Sequence, residues 1–115
     1  MANKRILKRW NLIYYLKVIN QKNGDVLGHL VDITTRGIMI MTQNPIPSNQ
    51  LFQLTMSLPK EIMGRNSVTF DAECKWCRKS INPDYYDAGF QFVAVSPNDI
   101  KTIENLINEF LFVKS

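Results

Sequence analysis

Two short stretches of this sequence concentrate groups able to hold a polyanion. Near the N-terminus, Arg5-Ile6-Leu7-Lys8-Arg9 sets two guanidinium groups four residues apart. Each planar fork can grip a phosphate, or the edge of a guanine, through two parallel hydrogen bonds. Further on, Asp32-Ile33-Thr34-Thr35-Arg36-Gly37 packs a carboxylate, two hydroxyls, an arginine and a glycine between two apolar runs. Asp32 and Thr34 fall on the same side of an extended segment. The Thr34 hydroxyl can donate to a phosphate oxygen, whereas an ionised Asp32 only accepts. Whatever meets Asp32 must therefore bring donors: the N1 and exocyclic N2 of guanine, or the guanidinium of Arg5 or Arg9. Gly37 is expected to take a positive φ in the turn and to let the backbone approach a ligand closely. The same six residues also suit a plain turn in which Asp32 and Thr34 cap backbone N–H groups. From these residues alone both readings stand.

Other chemistry lacks its parts. Cys74-Lys75-Trp76-Cys77 has CxxC spacing, but strand alternation is expected to put Cys74 on the apolar face and Cys77 on the other. No second CxxC exists, and His29 is the only histidine. A zinc site would need carboxylates as well, so no metal is expected and the thiols read as ordinary cysteines of a reducing compartment. His29 sits inside a predicted strand, with no nucleophile elbow, Gly-rich phosphate loop or HExxH pairing anywhere. Asp71 and Glu73 fall on the polar face of a strand. Nothing assembles a catalytic set, and the chain reads as a non-enzyme without a cofactor.

A length of 115 residues implies one domain with a core large enough to need no staples. No apolar run reaches the roughly 20 residues of a membrane span, and MANKRILKRW lacks the features of a secretory signal, so a cytoplasmic location is expected. The net charge of +4 is unevenly spread. Residues 1–24 hold six cations and no acid, against eight cations and ten acids in the remainder. The positive charge is local, and a basic end attracts phosphates, nucleic acid or acidic headgroups.

The elements that must position these residues are mostly strands. Leu12, Tyr14, Leu16 and Val18 alternate onto one face of a first strand over 12–20. Asn23-Gly24 is a hairpin signal, because both residues tolerate positive φ. Strands over about 26–33 and 38–41 follow, then a loop TQNPIPSNQ. LFQLTMSL turns Phe52, Leu54, Met56 and Leu58 inward. A loop is expected over Pro59–Asn66. SVTFDAECKW then places Val68, Phe70, Ala72, Cys74 and Trp76 on one face, and AGFQFVAV is a last strand. From about residue 97 the period changes: Ile100, Ile103, Leu106, Ile107, Phe110 and Leu111 recur at helical spacing, behind Ser96 as N-cap and Pro97 at the first helical position. Six antiparallel strands in so short a chain favour a small barrel, which removes exposed edges, with the helix covering one end or side.

The RxxxR ahead of the first strand and the DxTxxG at the second turn together resemble the PilZ domain family. So do Cys74-Lys75-Trp76, the stretch Ala88-Gly89-Phe90-Gln91-Phe92 and the closing helix, and the resemblance covers essentially the whole chain. It implies a mainly β, six-stranded antiparallel barrel over 12–115 with a C-terminal α-helix, and a basic N-terminal arm over 1–11. It also implies a cyclic di-GMP receptor, acting in bacterial motility, polysaccharide or pilus regulation through a protein partner. The family pattern is RxxxR followed by D/NxSxxG. Arg5 and Arg9 match the first part, and Asp32, Thr34 and Gly37 the second. Thr34 stands where Ser is usual; it keeps the hydroxyl and adds a methyl group. Lys4, Lys8, Arg36 and Trp76 are further candidates for the same site. Cyclic di-GMP needs cations, donors to phosphate and acceptors for guanine N–H, and the two motifs supply these types. An arm poor in core residues would order on binding. Two alternatives remain: a PilZ-like interaction module without nucleotide, and a small β-barrel that binds nucleic acid through its basic residues and Trp10, Tyr14 and Tyr15. The net acidity beyond the arm disfavours the latter.

Overall fold

The computed structural model describes residues 16–110, with side chains through 109. Six strands run in chain order: β1 (Lys17–Asn20), β2 (Val26–Ile33), β3 (Gly37–Thr42), β4 (Leu51–Ile62), β5 (Arg65–Lys79) and β6 (Tyr86–Ala94). One helix, α1 (Pro97–Phe110), follows. The strands close into an antiparallel barrel in the order β1-β2-β3-β6-β5-β4. Closure comes from β1 pairing with β4, Val18 opposite Met56 and Ile19 opposite Thr55. Each strand thereby has two hydrogen-bonded neighbours, and no edge is left open.

Alternation fills the barrel. Val18, Leu30, Ile40, Leu54, Met56, Val68, Phe70 and Cys74 point inward and are buried. Each large aliphatic side chain so buried contributes roughly 1.5–3 kcal/mol. On the opposite side of β4 and β5, Gln53, Thr55, Ser57, Ser67, Thr69, Asp71 and Glu73 face outward, as their alternation requires. The β1–β2 turn forms as the Asn-Gly pair implies: Gly24 takes φ 77° and its N–H reaches the Asn20 carbonyl at 2.8 Å.

Two expectations are corrected. Residues 59–66 are not a loop, because β4 and β5 run on to Ile62 and Arg65 as a long hairpin. Its turn is Met63-Gly64, with φ of 52° and 76°. Left-handed φ at both central residues is the requirement of a type I′ hairpin. Only the glycine announces such a turn in the sequence, and Pro59 masks it. The hairpin persists because α1 packs on it. Ile62, Ile103 and Leu106 are buried in the core that the helix joins, Arg65 pairs with Asp99, and Lys60 meets Glu109 at 3.1 Å.

The second correction concerns β5. Its register against β6 shifts between Cys74 and Trp76, a β-bulge. An inserted residue reverses which side chains face the core beyond it. Trp76, expected inward, is outward and 36% exposed, and Cys77, expected outward, packs on the core. The Ile46 N–H donates to Cys77 Sγ at 3.4 Å. A similar shift between Leu30 and Asp32 lets Leu30 and Ile33 both point inward while Asp32 stays outside.

The helix begins where the sequence signals it. Ser96 Oγ accepts from the Asp99 N–H at 3.1 Å and donates to the Asp99 carboxylate at 2.9 Å, a reciprocal cap. Thr102, fully buried in α1, donates back to the Asn98 carbonyl at 3.0 Å. No helix among the described residues is long and apolar enough to cross a membrane.

Candidate functional site

The β2–β3 turn is built from its own polar side chains. The Thr34 N–H donates to the Gly37 carbonyl at 2.9 Å, and the Arg36 N–H donates to Thr34 Oγ1 at 3.0 Å. Thr34 accepts in this arrangement, and its O–H is left to donate elsewhere. Asp32 Oδ1 accepts from the Ile33 N–H at 2.9 Å. The capping role that the sequence allowed is therefore real, and it orders the same groups that could meet a ligand.

Gly37 is at a different kind of position from the one expected. It is not among the positive-φ residues. A β-carbon there would come within 2.0 Å of the Phe90 carbonyl oxygen. The glycine is demanded by the close passage of β3 over β6, where Gly37 pairs with Gln91. The Phe92 N–H donates to the Arg36 carbonyl at 2.8 Å and holds the turn down on β6.

Across β6 stands the bulge of β5. Gly89 pairs with Met39 on one side and with Trp76 on the other. A β-carbon at 89 would lie 2.3–2.7 Å from Nε1, Cε2 and Cζ2 of Trp76. The indole edge thus occupies the space that a side chain at 89 would need. The Arg78 guanidinium sits 4.7 Å from the centre of the same ring, a cation–π contact.

Turn and bulge enclose a groove of about 340 Å³. Its walls include Asp32, Thr34, Arg36 and Gly37 from one side and Lys75 and Trp76 from the other, over a floor of Gly89 and Phe90. The structure thus brings together Asp32, Thr34, Gly37, Arg36 and Trp76. Lys75, Gly89 and Gln91 join them without having been singled out. The signal that could have found Gly89 is a glycine in mid-strand, which marks a close approach. Lys75 carries the groove's second cation beside Arg36 and is paired with Glu73 at 3.3 Å. The candidates Arg5, Arg9, Lys4 and Lys8 lie outside the described residues. The described chain begins next to this groove: the Leu30 N–H donates to the Leu16 carbonyl at 2.9 Å, two residues before Asp32.

The groove offers an acceptor, a hydroxyl donor, two cations and an aromatic ring within one concavity, a set suited to a nucleotide's phosphate and base. Elsewhere the chemistry is sparse. Among the described residues no cluster of three or more His, Cys, Asp or Glu could hold a metal ion. Cys74 is buried, and burial, reinforced by neighbouring Cys77, pushes its thiol pKa above the ordinary 9.0, away from a reactive thiolate.

Comparison with known proteins bears on the same residues. The PilZ domain model matches residues 8–109.

The chain belongs to the PilZ domain family.

Solved PilZ-type structures share the barrel. The inhibitor of motility MotI/DgrA of Bacillus subtilis superposes with a TM-score of 0.68 at 15% identity, over 82% of this chain and 46% of that one. The K. pneumonia MrkH–c-di-GMP complex gives 0.64 at 21% identity, over 82% of this chain and 45% of MrkH. The PilZ domain of Escherichia coli YcgR, solved with c-di-GMP, gives 0.60 at 17% identity, over 84% of this chain and 80% of that one. At these identities the likeness establishes the fold. The chain spans about half the length of MotI and of MrkH. Comparison with curated proteins finds no match.

Proposed function

We propose that this PilZ domain is a cyclic di-GMP receptor and not an enzyme, and that it passes the signal to a protein partner. The observation that carries the reading is the groove itself. It gathers Asp32, Thr34 and Gly37, the matches to the family's second motif, at the point where the chain arrives from the residues holding the first. MrkH and the YcgR PilZ domain, similar in fold, were each solved with c-di-GMP. In this reading Arg5 and Arg9 grip the phosphates and guanine edges. The Thr34 hydroxyl donates to a phosphate oxygen, Asp32 accepts from guanine N–H groups or holds an arginine, and Arg36 and Lys75 add positive potential. Trp76 offers a ring for stacking, worth roughly 1–3 kcal/mol per base. Residues 1–11 carry Lys4, Arg5, Lys8 and Arg9, whose mutual repulsion a dianionic ligand relieves. The arm then orders over the nucleotide, and the entropy cost is offset by contacts made only in the complex.

Titration calorimetry with cyclic di-GMP tests the reading. Saturable heat is expected, with hydrogen exchange of amides 2–11 slowing while β5 changes little. No heat from folded protein at high nucleotide concentration would refute it. A single-stranded oligonucleotide in a salt series serves as the contrast. Binding to it that exceeds the nucleotide's and collapses with salt would mark a nucleic-acid module instead.

A further inference from the structure

One side of the barrel does not obey the pattern of the other. The outward faces of β4 and β5 are polar from Gln53 to Glu73, as suits a one-layer barrel facing water. The outward face of β2 and β3 is not. Val31, Met39 and Met41 point out, half-buried and apart from the residues packed on the core, with His29 opposite Met41 and Asp32 opposite Met39. A pocket of about 460 Å³ opens beside them, between Lys17, His29, Met41 and Tyr85. Three large apolar side chains on the outer surface of two adjacent strands need cover.

We infer that this face is the dock of the protein's own residues 1–15. Three observations select that occupant. The described chain starts at Leu16, hydrogen-bonded to Leu30, so the preceding segment arrives on the flank of β2, beside Val31. That segment carries Ile6, Leu7 and Trp10, which the barrel interior does not use. Fifteen residues can extend roughly 50 Å, whereas two neighbouring strands are about 5 Å apart, so reach is ample. Charge agrees, because Lys4, Arg5, Lys8 and Arg9 would pass over a face bearing Asp32 and Asp87. The dock is separate from the nucleotide groove but borders it through Met39 and Asp32. It holds the arm's cations next to the groove before any ligand arrives, which raises their effective concentration there. It stands whether or not the protein binds cyclic di-GMP.

The four cations of the segment are trypsin sites, and this makes the dock measurable in the whole protein without nucleotide. Met39→Thr/Met41→Thr keeps strand-compatible side chains while removing the apolar surface. Cleavage after Lys4, Arg5, Lys8 and Arg9 is expected to speed up about tenfold, since it tracks the population of the released segment. Ile6→Ser/Leu7→Ser, which leaves the barrel untouched, should give the same acceleration, and combining both pairs should add little. The inference is overturned if both double variants are cut at the wild-type rate. It is equally overturned if wild type is already cut as fast as an unstructured peptide. Protection that falls on dilution would assign the face to a second copy of the chain instead. Because nucleotide is absent, loss of the proposed receptor function and loss of the dock are read independently.

Discussion

A single guanidinium is the sharpest probe of the proposed site. Arg9→Ala should weaken cyclic di-GMP binding by roughly 2 kcal/mol or more, about thirtyfold, with the fold intact. Arg9→Lys should recover only part, because an ammonium lacks the planar fork. Calorimetry showing lysine equal to arginine would remove the geometric argument. Gly89 tests the opposite wall. Its hydrogen leaves room for the Trp76 indole edge, so Gly89→Ala must push the ring outward. The Trp76 Nε1–H resonance should shift, and nucleotide affinity should fall about tenfold, within the range that stacking contributes. An unmoved resonance would show that the backbone, not the ring, gives way. Cys74 carries a pH dependence whose sign follows from its burial. Its folded pKa is raised, so the unfolded chain loses the thiol proton first. Stability is full below about pH 9 and declines as pH rises through the folded value. Urea titrations of Cys74→Ala should show a lower plateau, from the lost side chain, without that alkaline decline.

Among the elements, the β4–β5 hairpin and α1 form a unit that neither would make alone. The hairpin extends beyond the barrel, and the helix anchors it through Asp99 to Arg65 and Glu109 to Lys60. At its tip Met63 adopts φ 52°, a conformation that favours Asn or Gly over a long side chain, and it is 55% exposed. Met63→Asn restores the Asn-Gly pair preferred in such turns. It should raise stability by about 0.5–1 kcal/mol, visible as a higher urea midpoint at unchanged slope. A lower midpoint would mean that the Met63 contact with Asn105 outweighs the backbone strain. The same element shows how a bulge creates function. The shift after Cys74 moves Trp76 from core to groove and Cys77 in the other direction. A strand's face assignment therefore holds only as far as its register.

For the whole molecule, closure and signalling draw on different parts of the chain. The barrel closes through Lys17–Asn20 of β1, which bridges β2 and β4. Removing residues 1–11 should leave one cooperative thermal transition, shifted by only a few degrees, and should abolish cyclic di-GMP heat. A broad or strongly lowered transition would place the segment in the core. Intact binding without the segment would move the cation site to Arg36 and Lys75.

Much of this was legible in the sequence because period-2 alternation and turn chemistry are local. Val18, Leu54, Met56, Val68 and Phe70 face the core as their alternation implies. Asn23-Gly24 turns the chain, and Ser96-Pro97 starts the helix. Asp32, Thr34 and Gly37 sit in one groove, as their spacing suggested. What the sequence could not show depends on residues far apart in it. The bulges at Leu30–Asp32 and Cys74–Trp76 arise from pairing with other strands, so no window around Trp76 could reveal that it faces outward. The hairpin at Met63-Gly64 survives a poor turn residue because a helix thirty residues later packs on it. Gly37 looked like a turn glycine, yet its reason is the Phe90 carbonyl on β6. Local propensity determined the elements and their inner faces, and tertiary pairing decided register, because a one-residue shift costs nothing until a partner strand is present to count it.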